Sequence, residues 1–239
     1  MQSGKTSQTI GIAACSGPGA ALCYETITGE CPELLGGHHH PEIILHSLSF
    51  GEYCRLLKEN DWTAIAAMLG ISCRVLVRAG ADFIICPDNT VHQALHYGDL
   101  QSHAPWLHIA EPVSREAHSR NFQRIAILGT RHLMEGPVYP MHFEPLGLHS
   151  VIPVPEERNQ INSIIFERLV FNRGTKTDLS DLISIITRMK EEDHCDAVVL
   201  GCTELPLILN DCVSPLPTLD STRLLARAAI HRAIKNTTA

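Results

Sequence analysis

Short apolar runs alternate with longer amphipathic segments along most of this chain. The runs are rich in Ile, Val, Leu and Ala and are bounded by polar or turn-forming residues, which is typical of β-strands. Two of them, 83–86 and 197–200, are apolar on both faces, as strands buried in a parallel sheet are. We therefore predict strands at 9–15, 42–48, 83–86, 106–110, 124–130, 150–154, 197–200 and 217–219.

Segments with helical periodicity separate these runs. In the clearest one, Trp62, Ile65 and Leu69 recur near helical spacing and Gly80 ends the pattern, which predicts a helix from 61 to 79. Further helices are predicted after the loop at 14–19, from 131 to just before Pro145, and at 155–172, 178–192 and 221–234.

This alternation predicts an α/β fold of parallel sheets with helices on both faces. The second half of the chain repeats the order of elements in the first half. We therefore predict two similar α/β lobes, at 9–112 and 113–217. Ligands of such sheets bind outside the carboxyl ends of the strands, so we expect an active site in the cleft between the lobes.

Two strand ends share one sequence pattern. Each is an apolar strand that runs into a small polar cluster and a predicted helix start, at 81–90 and 196–206. The second cluster offers the thiol of Cys202, and a helix start favours the thiolate form. The first offers Asp88 where the repeat suggests another thiol. Helix capping is the alternative role for these polar residues, because Asp, Asn and Thr are good N-caps.

The loop at 14–19 also follows a strand and precedes a helix. It resembles a phosphate-binding glycine loop but has neither the P-loop lysine nor the third glycine of a dinucleotide fingerprint. A site for a small anion, with Ser16 binding a carboxylate, is the functional interpretation, and an ordinary turn is the alternative.

Composition narrows the class of protein. The net charge of -7 and the lack of a Lys/Arg run argue against a nucleic-acid partner. No apolar stretch approaches the roughly 20 residues that span a bilayer, and the N-terminal residues have no apolar signal core, so we expect a cytoplasmic protein with no membrane partner.

The nine cysteines and the histidine run do not indicate a metal centre. The cysteine count is odd and no two are at C-x-x-C spacing, so neither a disulfide framework nor a zinc pair is predicted. The run at 38–40 fits a surface loop, because adjacent side chains of an extended chain point to opposite faces. We expect no metal, and most of the cysteines are predicted to be small buried residues.

Several segments together resemble the aspartate/glutamate racemase superfamily, most closely its aspartate racemase branch. The resemblance runs from about Thr9 to Ile234. It implies two lobes with the site between them, a C-terminal helix at 218–239 that returns to the first lobe, no pyridoxal phosphate or other cofactor, and a homodimer. The matching segments are 86–92 (CPDNTVH), 200–207 (LGCTELPL), 128–131 (LGTR), 47–62, 164–167 and 214–217.

The resemblance also implies a two-base reaction on an amino acid of the aspartate/glutamate type. One group removes the α-proton from one face, and the other returns a proton on the opposite face. Cys202 matches one of these groups, and Asp88 stands at the position of the other. The remaining matches are substrate-binding residues, with Lys58 near a position for a side-chain carboxylate: Ser16, Lys58, Asn89, Thr90, Thr130, Thr203 and Glu204.

Asp88 departs from the usual pair of thiols. A carboxylate has a reference pKa of about 3.9, far below the value of about 8.5 for a thiol, so the two groups do not form a symmetrical pair. Asp88 would be a weaker base than a thiolate unless burial or a nearby thiolate raised its pKa. Alternatively, Asp88 is kept protonated and acts as the acid, or Cys86 substitutes for it. The loop at 13–19 departs too, because it lacks the Met-Ser-Trp type of segment of many aspartate racemases, which leaves the preferred side chain open.

Two other classes of function therefore stay open. A single thiol suits a decarboxylase or a cis-trans isomerase of a small dicarboxylate on the same fold. A non-catalytic protein that binds a small molecule is the third reading, because a fold does not determine the chemistry.

Overall fold

The structure is a computed structural model, and it describes residues 7–100 and 104–235. Its strands form two four-stranded parallel sheets that share one strand order. The chain divides into two compact units, the first running to Ile109 and resuming at Thr222, and the second spanning Ala110–Ser221. The α/β class and the repeated halves are thus confirmed. Positions 236–239 of the predicted C-terminal helix lie outside the described residues.

The first unit contains one of the sheets. Its strands are β1 (Ile10–Ala14), β2 (Ile43–Ser47), β3 (Phe83–Ile85) and β4 (Trp106–Leu107), in the order β2-β1-β3-β4. The two central strands are buried along their whole length, which explains their continuous apolar sequence.

The second unit repeats this arrangement. Its strands are β5 (Arg124–Leu128), β6 (His149–Val151), β7 (Ala197–Leu200) and β8 (Thr218–Asp220), in the order β6-β5-β7-β8. Because β3 and β7 occupy the same place in their sheets, the clusters that follow them occupy equivalent positions in the two units.

Helices cover the sheets and connect the strands. They are α1 (Gly17–Leu35), α2 (Phe50–Lys58), α3 (Trp62–Ala79), α4 (Ala110–Ser119), α5 (Arg131–Glu135), α6 (Pro140–Phe143), α7 (Pro155–Ser163), α8 (Lys176–Glu191) and α9 (Ser221–Lys235). Sequence analysis did not predict α2 or α4.

Two predicted helices are shorter than expected. The helix predicted from 131 is interrupted after α5, where Gly136 is extended and Pro137 follows it, and α6 begins at Pro140. The helix predicted at 155–172 ends its regular part with α7 at Ser163. It continues as a π turn and a short 3-10 turn, and Asn172, with a φ of 55°, closes it in the left-handed region.

Helix α3 is long and apolar enough, by composition, to cross a membrane. In this structure it packs on β1 and β2, and Ile65, Leu69 and Leu76 on its inner face are at most 2% exposed. The Asp61 carboxylate accepts a hydrogen bond from the Ala64 amide at 2.9 Å and begins the helix, and Gly80 ends it at a φ of 108°. This buried face accounts for part of its apolar character, whereas Ile71 and Val75 on the same helix are exposed.

A buried carboxylate fixes the start of α8. Asp178 is 3% exposed, it accepts hydrogen bonds from the Thr175 amide and hydroxyl at 2.9 and 2.8 Å, and Arg168 Nε lies 2.7 Å from it. Burial raises the pKa of Asp178, but the hydrogen bonds from Thr175 and the charge of Arg168 outweigh it and leave the pKa below its usual value.

We expect Asp178→Asn to lower the free energy of unfolding at pH 7 by about 1–2 kcal/mol. The folded pKa lies below the unfolded one, so this stabilisation is present above about pH 4 and disappears as the pH falls. Urea unfolding at pH 7 and pH 3 measures it, and the difference from the wild type should shrink at pH 3. Asp181→Asn, on the same helix, is the control and should stay within about 0.5 kcal/mol at both pH values. An equal loss at both pH values for Asp178→Asn would contradict the linkage.

Candidate active site

Two glycines set the end of β7 against the end of β5. The Gly201 amide donates a hydrogen bond to the Leu128 carbonyl oxygen at 2.7 Å. A Cβ atom on Gly201 would lie 2.5 Å from Leu133 Cδ2 and 2.7 Å from that same oxygen, and one on Gly129 would be similarly blocked. Only glycine fits this crossing, and it places Thr130 and Cys202 at the ends of neighbouring strands.

Cys202, Thr203 and Glu204 form a compact polar cluster directly after β7. Cys202 Sγ donates a hydrogen bond to Glu204 Oε2 at 3.0 Å, and Thr203 Oγ1 donates to the same oxygen at 2.8 Å. The three residues are at most 8% exposed. Glu204 was predicted to bind substrate, whereas its carboxyl group here accepts the hydrogen bond from the Cys202 thiol.

The predicted helix start at 201–204 is wrong. The chain makes an irregular turn there and only a 3-10 turn, Leu205–Leu207, follows. Pro206 supplies no amide hydrogen, and the backbone leaves helical geometry at Ile208. Thr203 therefore caps no helix, and one short turn has no macrodipole of the size needed to favour a thiolate at Cys202.

Two residues that the sequence pattern did not indicate fix the end of β7 through hydrogen bonds. Ser221 Oγ donates a hydrogen bond to the Leu200 carbonyl oxygen at 2.8 Å, and Tyr139 is hydrogen-bonded to Ser221. Both residues are fully buried. Burial raises the pKa of Tyr139 well above its usual value, so the phenol stays protonated.

The glycine crossing yields a prediction for Gly201→Ala. We expect the added methyl group to lower the free energy of unfolding by about 2 kcal/mol and, by displacing Cys202, to reduce the rate of any reaction at the thiol by about tenfold or more. Gly29→Ala on α1 is the matched control, because its new methyl group meets nothing within 4 Å. That change should raise stability by about 0.5–1 kcal/mol. Thermal unfolding and activity measure both, and an undisturbed Gly201→Ala variant would contradict the packing argument.

The equivalent cluster of the first unit follows β3. Asp88 is half-buried, and its Oδ1 accepts a 3.4 Å hydrogen bond from the Val91 amide at the start of a 3-10 helix, Thr90–His96. This is the capping contact that the sequence offered as an alternative, and it orients the carboxylate. Asn89 and Thr90 are 2% and 3% exposed beside it. His92 Nε2 lies 2.9 Å from the Cys86 carbonyl oxygen and fixes the strand end.

The charge of Asp88 affects the titration of two buried groups, Cys15 and Tyr53. Cys15 is hydrogen-bonded to Cys86, and this bond, together with burial and the Asp88 charge, raises the pKa of Cys15 well above its usual value. Tyr53 is 3% exposed, and burial followed by the Asp88 charge raises its pKa well above its usual value too. Cys15 and Tyr53 were not predicted as site residues. None of the nine cysteines, all of which lie among the described residues, forms a disulfide.

The other predicted residues of this unit have different positions. Ser16 Oγ accepts a hydrogen bond from the Gly19 amide at 3.4 Å and is the N-cap of α1, which favours the turn interpretation of that loop. Lys58 is exposed at the end of α2 and is rotated by about 140° around the helix from the buried Tyr53. In the second unit, Thr130 Oγ1 accepts from the Leu133 amide at 3.2 Å and caps α5.

Known proteins resemble the chain over nearly its whole length. It is 25% identical to RacX, a broad specificity amino-acid racemase of Bacillus subtilis, over 229 residues that cover 92% of this chain and 96% of that protein. A candidate Asp/Glu racemase from Yersinia pestis superimposes with a TM-score of 0.83 at 28% identity, covering 95% of this chain and 100% of that one. An aspartate racemase homologue from Pyrococcus horikoshii superimposes with a TM-score of 0.78 at 29% identity, covering 94% and 98%.

A family model matches most of the chain and extends well beyond any single motif. The Asp/Glu/Hydantoin racemase family matches residues 16–229, which include both strand-end clusters. This confirms the predicted resemblance and the prediction of an isomerase of the racemase type. The chain therefore belongs to the Asp/Glu/Hydantoin racemase family.

Proposed function

We propose that the protein racemises or epimerises an amino acid without a cofactor, with Asp88 and Cys202 as the two acid/base groups. The observation that carries the proposal is the 3.0 Å hydrogen bond from Cys202 Sγ to the buried Glu204 carboxylate, at the carboxyl end of a central strand. A thiol held in this way is an oriented proton donor.

In their proposed resting protonation states, Asp88 and Cys202 are ready for proton transfer in one direction only. In the proposed resting state Asp88 is a carboxylate and Cys202 is a thiol, because a carboxylic acid is a much stronger acid than a thiol. Asp88 then removes the α-proton, and the electron pair stays on the α-carbon, stabilised by the substrate carboxyl group. Cys202 donates its proton to the opposite face, and a proton returns from Asp88 to the thiolate through solvent. In the other direction, both groups must first change protonation state.

The proposed substrate contacts are hydrogen bonds from neutral side chains. Asn89, Thr90 and Thr203 bind the carboxylate and ammonium of the substrate, and Glu204 orients Cys202. Ser16 and Thr130 line the site. The ionised Asp88 and the buried Glu204 make an amino acid with an uncharged side chain a better substrate than aspartate or glutamate. The protein acts in the cytoplasm as a homodimer.

An exchange screen in deuterated water tests the proposal. Single L- and D-amino acids, acidic and neutral, are incubated with the protein, loss of the α-proton signal is followed by NMR, and the antipode is measured by chiral chromatography. Exchange with appearance of the antipode is the expected result. Exchange with retention alone would indicate an enzyme with a single acid/base group. If no amino acid exchanges its α-proton, the racemase proposal is wrong.

The replacement of a second thiol by Asp88 favours a decarboxylase as the second candidate function. A site with one proton-donating thiol is enough for a decarboxylase, which protonates a single face. Incubation with small substituted dicarboxylates and measurement of released CO₂ distinguishes it from a racemase.

A further inference from the structure

His92 is a buried histidine in the first unit that the proposed reaction does not use. It is 1% exposed and lies on the 3-10 helix Thr90–His96, which follows Asp88. Its Nε2 atom lies 2.9 Å from the Cys86 carbonyl oxygen. A carbonyl oxygen can only accept a hydrogen bond, so Nε2 carries the hydrogen in this contact and His92 is the donor.

This hydrogen bond closes a loop, residues 86–92, that carries part of the proposed site. Two further contacts lie inside the loop. The Asp88 carboxylate accepts a hydrogen bond at 3.4 Å from an amide at the start of the 3-10 helix, and the His92 amide donates to the Asn89 carbonyl oxygen at 3.2 Å. The proposed base and two proposed substrate-binding residues, Asn89 and Thr90, therefore lie between the two chain positions that the His92 side chain joins.

A second histidine packs against the His92 ring. His108 directly follows β4, and the pairing of Ile85 with Leu107 places it level with Cys86 on the neighbouring strand. Its ring lies edge-on to the ring of His92, with centroids 4.5 Å apart and an angle of 65° between the planes. The neighbouring strand thus supports the His92 ring in the orientation that its hydrogen bond requires.

We propose that His92 is a positioning residue, which holds Asp88 in its working direction by donating to the Cys86 carbonyl oxygen. This inference rests on the proposed function. An apolar side chain would fill the same space, but it would remove this donor from a buried carbonyl group and release one end of the loop. The rate should respond strongly, because a displacement of about 1 Å can cost about 10²-fold.

His92→Leu and His92→Gln test this role, because the glutamine amide can donate to the Cys86 carbonyl oxygen and the leucine side chain cannot. With the most active amino acid of the exchange screen, His92→Leu should lower kcat by about tenfold or more, and His92→Gln should stay within about threefold of the wild type. If His92→Leu does not fold, His92→Asn, with its shorter amide, takes its place. His96→Leu, an exposed position on the same 3-10 helix, is the matched control and should leave kcat and KM unchanged.

Exchange by one base at a time separates the positioning of Asp88 from a general disturbance of the site. In a Cys202→Ala background only Asp88 can exchange the α-proton, and in an Asp88→Asn background only Cys202 can. At saturating substrate, adding His92→Leu should slow the first exchange by about tenfold or more and the second by less than about threefold. Equal losses in the two backgrounds would overturn the positioning role.

The tautomer of His92 gives a readout that does not depend on activity. Nitrogen NMR of the imidazole rings at neutral pH should show the hydrogen of His92 on Nε2, with the His92→Gln spectrum identifying the signal. A hydrogen on Nδ1 alone, or a His92→Gln variant no more active than His92→Leu, would overturn this inference and leave the proposed function standing. A wild type that exchanges no amino acid would overturn the proposed function and this inference with it.

Discussion

Cys202→Ala is expected to lower the rate of racemisation by about 10³-fold or more, because it removes the proposed proton donor of one face. The measurement is appearance of the antipode of the best substrate by chiral chromatography. Residual α-proton exchange should survive for only one enantiomer, the one whose α-proton faces Asp88, and should proceed with retention. The loss of one sulfur atom should cost only about 1 kcal/mol of stability, so the variant remains folded.

Cys195→Ala is the matched control for this variant. Cys195 is 4% exposed in the same hydrophobic core as Cys202, and burial raises its pKa to about 11, so it is a protonated structural thiol. Its replacement should cost similar stability and leave racemisation unchanged. A Cys202→Ala variant with more than about a tenth of wild-type racemisation would exclude Cys202 as an acid/base.

The position of Cys202 could be predicted because it depends on local sequence. An apolar run such as 197–200 has to be a buried strand, and in a parallel sheet the residue just beyond its carboxyl end is exposed to ligands. The same reasoning applies to 83–86 and Asp88. The two sheets confirm both strands, each at the centre of its sheet.

The supporting residues could not be predicted in this way. Tyr53 is buried on α2, a helix that the sequence pattern did not predict, and Ser221 contacts Leu200 from the start of α9. These contacts join residues far apart in sequence, so the tertiary fold decides them. Glu204 was named from its motif, but its contact with the thiol depends on an irregular turn whose shape the sequence pattern does not encode.

The structure also changes the physical reason for expecting acid/base chemistry at Cys202. Sequence analysis placed the thiol at a helix start, where the dipole favours a thiolate. The 3-10 turn provides no such dipole, and the thiol instead donates a hydrogen bond to the Glu204 carboxyl group. In the proposed reaction, a proton-donating Cys202 is the complement that Asp88 as the base requires, so the departure at Asp88 and the hydrogen bond to Glu204 are consistent with one another.

Asp88→Asn is expected to lower racemisation by about 10²–10⁴-fold, because an amide neither accepts nor returns the α-proton. The amide oxygen can keep the hydrogen bond from the Val91 amide, so the local fold should persist. Racemisation has an equilibrium constant of one, so kcat/KM must fall equally for the L- and the D-substrate. A difference between the two acid/base groups is therefore expected only in the exchange of the α-proton with deuterated water. Cys202 alone should still exchange the α-proton of one enantiomer with retention, and this enantiomer should be the opposite of the one that Cys202→Ala exchanges.

Cys86→Ala decides between Asp88 and the alternative base. Cys86 is fully buried and hydrogen-bonded to Cys15, so its loss should change racemisation by less than about threefold. Asp88→Cys would restore a matched pair of thiols, and it should retain racemisation where Asp88→Asn does not. NMR exchange in deuterated water on both enantiomers, with all four variants at equal concentration, measures the whole set. If Cys86→Ala is more damaging than Asp88→Asn, or if Asp88→Asn and Cys202→Ala exchange the same enantiomer, then Asp88 does not face the substrate opposite Cys202.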